Sequence, residues 1–197
     1  MLFPVTPRTP NFEWKSEDQF VDPLTGHVLV CPAFLEGMEK AQQLRSKWGA
    51  PLQATSGFRH PLYNVVVGLP VEERGPILAR ARGQRWTAEE LRERMIEEFG
   101  PEVDMGAEDS QHLLLDTGHP ESNRFALDLT PSQRSPRISP RTPLPQQIRI
   151  LGEMAKEVGF RGIGLYDGHI HVDPRLTPAY WDLRSAQWKE QEREPFA

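Results

Sequence analysis

The run from Ile163 to Asp173 reads IGLYDGHIHVD and sets His169 and His171 two positions apart. Alternate residues of a β-strand share a face, so the two imidazoles would project side by side from a short apolar segment. Paired imidazoles can ligate a metal ion, and the same spacing also serves ordinary strand packing. The chemistry therefore depends on which other N and O donors the fold brings to that face.

Three other segments offer them. Leu52-Gln53-Ala54-Thr55 reads as a short strand that delivers Ser56-Gly57-Phe58-Arg59 to a turn, followed by His60-Pro61 and a segment through Asn64. Arg59 suits a substrate carboxylate, which a guanidinium binds through two parallel hydrogen bonds, and Ser56 could add a third. Residues 112–116 then read as a strand, 117–123 as a turn and 124–129 as the returning strand. If Asp116 opposes Arg124, His112 opposes Asp128, and directly opposed Cβ atoms lie about 4.5–5.5 Å apart. His112, Asp128 and His171 would then be three N/O ligands with an open fourth position, as a hydrolytic zinc site requires.

The rest of the chain must hold these residues in place. Its 197 residues, 38% hydrophobic, suit one domain spanning 1–197. A net charge of -5 supplies no general field for nucleic acid, although Arg134 to Arg141 is locally positive. With Cys31 as the single cysteine, no internal disulfide can form, and any metal must be held by His and carboxylate ligands; Cys31 itself reads as a small buried residue. His27 and His60 carry no role in this reading. No run approaches the roughly 20 apolar residues of a membrane span. The start, MLFPVTPRTPNFEWKSEDQF, lacks the basic and apolar stretches of a secretory signal. The expectation is a monomer made in the cytoplasm.

Apolar residues from Phe34 to Trp48 recur at helical spacing, with Gly49 and Pro51 as the stop. Residues 70–108 are rich in Glu and Arg and read as a helical insertion, in which Thr87-Ala88-Glu89-Glu90 resembles a capping box opening a helix to about Phe99. Its alternating charges read as a solvated face. Residues 131–145 form a proline-rich loop, Ile148 to Val158 an amphipathic helix closed by Gly159, and 178–197 a tail expected to pack as a terminal helix. The fold class expected is α+β: a small antiparallel sheet carrying a zinc site, flanked by helices, with a helical insertion.

Taken in order, these motifs resemble the zinc D-Ala-D-Ala carboxypeptidases and related peptidoglycan peptidases, which share a metal-site fold with the hedgehog signalling domain. The resemblance covers about residues 30 to 175. It rests on Ser56-Gly57-Phe58-Arg59 with Asn64, on Ser110-Gln111-His112, on Ala126-Leu127-Asp128, and on Gly162-Ile163-Gly164-Leu165-Tyr166 leading to His169-Ile170-His171-Val172-Asp173. It implies a zinc peptidase acting on peptidoglycan stem peptides, of carboxypeptidase or endopeptidase type. In it His171 is a ligand, and His169 assists as acid, base or oxyanion stabiliser. The carboxylate that some relatives carry three positions before the ligand is Gly168 here, with Asp167 as the nearest substitute. The family's first ligand lies seven positions before its Asp, where this chain has Glu121. His112 stands sixteen before Asp128 and His119 nine, so a lengthened hairpin selects His112 and a shorter insertion selects His119. Without a signal, such an enzyme would be released by lysis or carried on a virion, like a phage lysin. The other reading is a catalytically inactive metal-binding or phage structural module with the same fold.

Overall fold

The computed structural model describes residues 12–14, 32–57, 59, 61–107, 110–112 and 125–190. In chain order its elements are β1 (Phe12–Trp14), α1 (Pro32–Trp48), β2 (Leu52–Ser56), α2 (Pro61–Val66), α3 (Val71–Gly83), α4 (Ala88–Phe99), β3 (Leu127–Pro131), α5 (Leu144–Glu157), β4 (Gly162–Leu165), β5 (Ile170–Asp173), β6 (Ala179–Asp182) and α6 (Ala186–Lys189). The fold is α+β, with one sheet ordered β1-β2-β3-β5-β4-β6. The inner strands β2, β3, β5 and β4 pair antiparallel, and β1 and β6 add parallel at the two edges.

The two-residue period of the strands sorts the sheet into two unlike faces. Leu52 and Ala54, Leu127 and Leu129, Ile163 and Leu165, and Ile170 and Val172 turn to one side and join the main core. Helices α1 and α5 cover that side. Helix α1 brings Phe34, Ala41, Leu44 and Trp48 back to one stripe, all buried, while Leu35 stands in solvent. Gly49 (φ +81°) and Gly159 (φ +91°) take the left-handed conformation just beyond α1 and α5 and let the chain turn away. The intervening residues Asp128, His171, Asp173, Gly162 and Gly164 face the other way, and that face carries the polar chemistry.

Between α2 and β3 the expected helical insertion consists of α3 and α4. Thr87 caps α4 with the anticipated reciprocal bonds to Glu90, and α4 ends at Phe99. With α2, these helices close a second core around Leu62, Val65, Val66, Ile77, Leu78, Leu91 and Met95. Ion pairs such as Arg80–Glu98 and Arg94–Glu97 lie on the solvent side.

Two local expectations are overturned. Residues 112–116 were expected to pair with 124–129, but β3 already has β2 on one edge and β5 on the other. No hydrogen-bonding edge is left for a third partner. His112 instead sits in a turn, where its carbonyl accepts from the Arg59 amide at 2.7 Å, and residues 113–124 lie outside the described residues. The tail, expected as a helix, first supplies strand β6, because Ala179 and Leu183 donate to the Arg161 and Leu165 carbonyls along the open edge of β4, each at 2.8 Å. Among the described residues only the four-residue α6 follows.

Candidate metal centre

Antiparallel pairing sets Asp128 of β3 directly against His171 of β5, and Gly164 of β4 lies on the other side of His171. Both side chains rise from the face opposite the main core. His112 reaches the same point from the turn that follows the insertion. The three atoms that meet are His112 Nε2, His171 Nδ1 and Asp128 Oδ1, at 3.1 Å between the nitrogens, 3.3 Å from His112 to Asp128 and 3.2 Å from His171 to Asp128. This group could hold a metal ion.

The outer nitrogens decide what the inner ones can be. His112 Nδ1 lies 2.8 Å from the Gly57 carbonyl, which can only accept, so that nitrogen carries the proton. His171 Nε2 lies 3.0 Å from Asp173 Oδ2, a second acceptor. In the neutral rings both inner nitrogens are then lone pairs, aimed at each other and at a carboxylate oxygen. Three acceptors this close repel one another unless a positive charge sits among them. Donors at about 2.0–2.1 Å from a tetrahedral ion stand about 3.3 Å apart, so the observed triangle fits such an ion without rearrangement.

The titration behaviour agrees with this geometry. Burial pushes His112 down from its ordinary value, opposed by Asp128. Burial also disfavours the charged form of His171, but hydrogen bonds to Asp128 and Asp173 outweigh it and the net shift is upward. Burial would raise Asp128 as well, yet His112 and His171 hold it far below the usual carboxylate range, so it stays ionised. A cluster that raises a buried imidazole attracts positive charge, and a cation answers that field as a proton does.

Behind His171 stands Asp173, fully buried. Burial pushes its pKa up, but hydrogen bonds from Arg175 and His171 bring it to about 2. Its Oδ1 accepts from the Arg175 amide (3.0 Å) and Nε (2.7 Å), and its Oδ2 accepts from Arg175 Nη2 (2.6 Å) and from His171. A carboxylate on the far nitrogen of a ligating histidine fixes tautomer and ring orientation. The glycines of β4 make room for it: a Cβ on Gly162 would overlap the Asp173 carboxylate, and one on Gly164 would overlap the Trp181 indole. Trp181 in turn packs 5.3 Å from the His171 ring and under the Arg175 guanidinium. Sequence reasoning gave no role to Asp173, Arg175 or Trp181; the alternating glycines of Gly162-Ile163-Gly164 were the available signal that bulky neighbours need that surface.

The triad opens into a cleft of about 440 Å³ that Arg59, Tyr166 and His169 also line. His169 lies just before β5 rather than on it, yet it still reaches the same cleft as His171. Its ring stacks on Tyr166 (centroids 4.4 Å apart, planes 9° apart), and the Tyr166 hydroxyl accepts from Trp181 Nε1 at 3.2 Å. Burial pushes His169 below its ordinary pKa, against the pull of Asp128, which leaves it neutral near pH 7. Arg59 Nη2 donates to Ser56 Oγ at 3.1 Å, so the two expected substrate-binding residues meet each other at the cleft wall.

Asp167 does not join them. It is turned to the surface, where its carboxylate accepts from the Ser185 amide at 2.8 Å and from the Ser185 hydroxyl. The turn at Gly168 directs that side chain away from the cleft, and the local sequence could not show it. Of the two candidate first ligands His112 reaches the group; His119 lies outside the described residues, as do His27, Cys31 and His60. No helix among the described residues is long and apolar enough to cross a membrane. No family model, curated protein or solved structure matches the chain.

Proposed function

We propose that the protein is a zinc-dependent peptidase that cleaves peptidoglycan stem peptides near a D-amino acid. One observation supports this most: three converging acceptor atoms, with both histidine tautomers set from outside, open onto a cleft that also holds His169 and Arg59. Two imidazoles with one carboxylate suit zinc. Bound there, zinc would supply Lewis-acid activation of water and of the scissile carbonyl.

The chain's own residues divide the remaining work. Arg59 binds the free carboxylate of the substrate and so fixes which amide lies over the triad. His169, held flat against Tyr166, accepts a proton on the water side and returns it to the leaving amine. Trp181 anchors the Tyr166 hydroxyl and keeps that stack rigid. The substrate class follows from the ordered resemblance to peptidoglycan peptidases, and a cleft of about 440 Å³ accommodates a short peptide end.

The test is direct. Zinc-loaded full-length protein is incubated with purified peptidoglycan and with a synthetic stem peptide ending in D-Ala-D-Ala, and the products are read by mass spectrometry. Release of D-Ala identifies a carboxypeptidase, and loss of cross-linked dimers identifies an endopeptidase. Stoichiometric zinc uptake without any cleavage would refute the peptidase and leave a metal-binding module.

A further inference from the structure

Helices α3 and α4 pack on α2 rather than on the sheet, and their outer faces are charged and solvated. Their inner side carries something else. Arg92 of α4 donates from Nη2 to the Gly106 carbonyl at 2.8 Å, and its Nη1 lies 4.0 Å from Met105 Sδ. The next carbonyl, that of Ala107, accepts from the side chain of buried Asn64 on α2 at 2.9 Å. The Gly106 amide returns a bond to the Asn64 carbonyl at 3.0 Å. A Cβ at Gly106 would overlap that same carbonyl, so only glycine lets the chain pass α2 so closely.

From this clamp the hydrogen bonds run on to the first metal ligand. Ser110 N donates to the Ala107 carbonyl at 3.3 Å, and Ser110 Oγ accepts from the His112 amide at 3.3 Å. The His112 carbonyl is held by Arg59 N and its Nδ1 by Gly57, as described above. The other two ligands stand on paired strands of the sheet, whereas His112 stands in a turn, held on one side by Gly57 and Arg59 just beyond β2. Its position depends also on where the chain leaves the insertion.

We propose that the inserted helix pair presets the metal centre, with Arg92 and Asn64 as positioning residues that hold Gly106 and Ala107, and through Ser110 the turn at His112, so that His112 Nε2 meets Asp128 and His171. This rests on those three residues being metal ligands and not on any peptidase activity. The insertion is then a brace for the first ligand rather than an independent appendage.

Metal binding by the full-length chain tests it. Arg92→Met keeps an apolar stem and removes both donors, Arg92→Lys restores a cationic donor, and Asn64→Ser removes the donor to Ala107. Ile77→Val trims the second core and removes no hydrogen bond. Zinc affinity is read by chelator competition, and ligand geometry by the visible bands of bound Co²⁺. Arg92→Met and Asn64→Ser should each bind zinc about tenfold more weakly with altered Co²⁺ bands, in the range seen when groups outside the ligand shell are lost. Arg92→Lys should recover most of the affinity, and Ile77→Val should match the wild type in affinity and spectrum even where its melting temperature falls. Wild-type affinity and spectrum in both Arg92→Met and Asn64→Ser would overturn the inference, and so would an equal loss in Ile77→Val. A wild type that takes up neither ion overturns the metal reading, and this inference with it.

Discussion

Replacing Asp173 with Asn changes one atom, and the structure says what that atom must do. Both carboxylate oxygens are committed, Oδ1 to the Arg175 amide and Nε, and Oδ2 to Arg175 Nη2 and His171 Nε2. An amide has one acceptor, so its NH2 must face donors wherever it is placed. On the Oδ1 side it opposes two donors of Arg175. On the Oδ2 side it opposes Arg175 Nη2, and it meets His171 Nε2 favourably only if the His171 proton moves to Nδ1, the atom aimed at His112 and Asp128. Either way two charge-assisted bonds are lost at a fully buried site, each contributing about 1.5–3 kcal/mol, so Asp173→Asn should destabilise the protein by about 3–5 kcal/mol. Zinc affinity should fall about 10- to 100-fold, or about 1.4–2.8 kcal/mol. Urea unfolding with and without zinc measures the first quantity, and chelator competition on the folded variant measures the second. A variant that loses stability yet binds zinc as tightly as the wild type would refute the reasoning, because the sheet alone would then be aiming His171.

Gly162→Ala should act on the same carboxylate from the other side: its Cβ has no space beside Asp173, and a destabilisation of about 1–3 kcal/mol with weaker zinc binding is expected in the same two assays. Asp182 and the buried Arg184 give a pH prediction, since two side-chain hydrogen bonds from Arg184 (3.0 and 2.7 Å) and one from its amide (3.0 Å) hold the Asp182 carboxyl below its ordinary pKa despite burial. A depressed folded pKa contributes stability that is present above the unfolded value of about 3.9 and is lost as pH falls through the folded one. Urea midpoints of the wild type should therefore drop more steeply below about pH 4 than those of Asp182→Asn, and parallel curves would count against the pair. Adding zinc at about 100 times its dissociation constant should raise unfolding stability by about 2.7 kcal/mol, reversed by chelator, and Asp128→Ala should abolish that gain; a melting temperature indifferent to zinc in the wild type would argue against the centre.

Much of the scaffold was legible because it is local. The alternation of Leu127-Asp128-Leu129 and of Ile170-His171-Val172-Asp173 needs only the two-residue period of a strand to separate core from chemistry. Helix α1, the start of α4 at Thr87 and the run from Ile148 in α5 follow from spacing and caps. Illegible were the features that depend on partners far along the chain. The hairpin through His112 was reasonable locally, but β3 finds its neighbours in β2 and β5, more than forty residues away on either side. Asp167 and His169 sit two residues apart with similar local claims on catalysis, and one turn sends them to opposite surroundings.

The sequence by itself determined the kinds of atom available: imidazoles and carboxylates with a single cysteine, an arginine after a strand, and glycines alternating along β4. These depend on residue type and short period, which no later folding step alters. Only the tertiary structure decided that His112 completes the group with Asp128 and His171, that Asp173 bonds the outer nitrogen of His171, and that Arg92 of the insertion bonds the Gly106 carbonyl. Each of those depends on strand register and chain path, which are set by burying the two cores together and pairing buried polar groups, an outcome of long-range closure that local spacing does not encode.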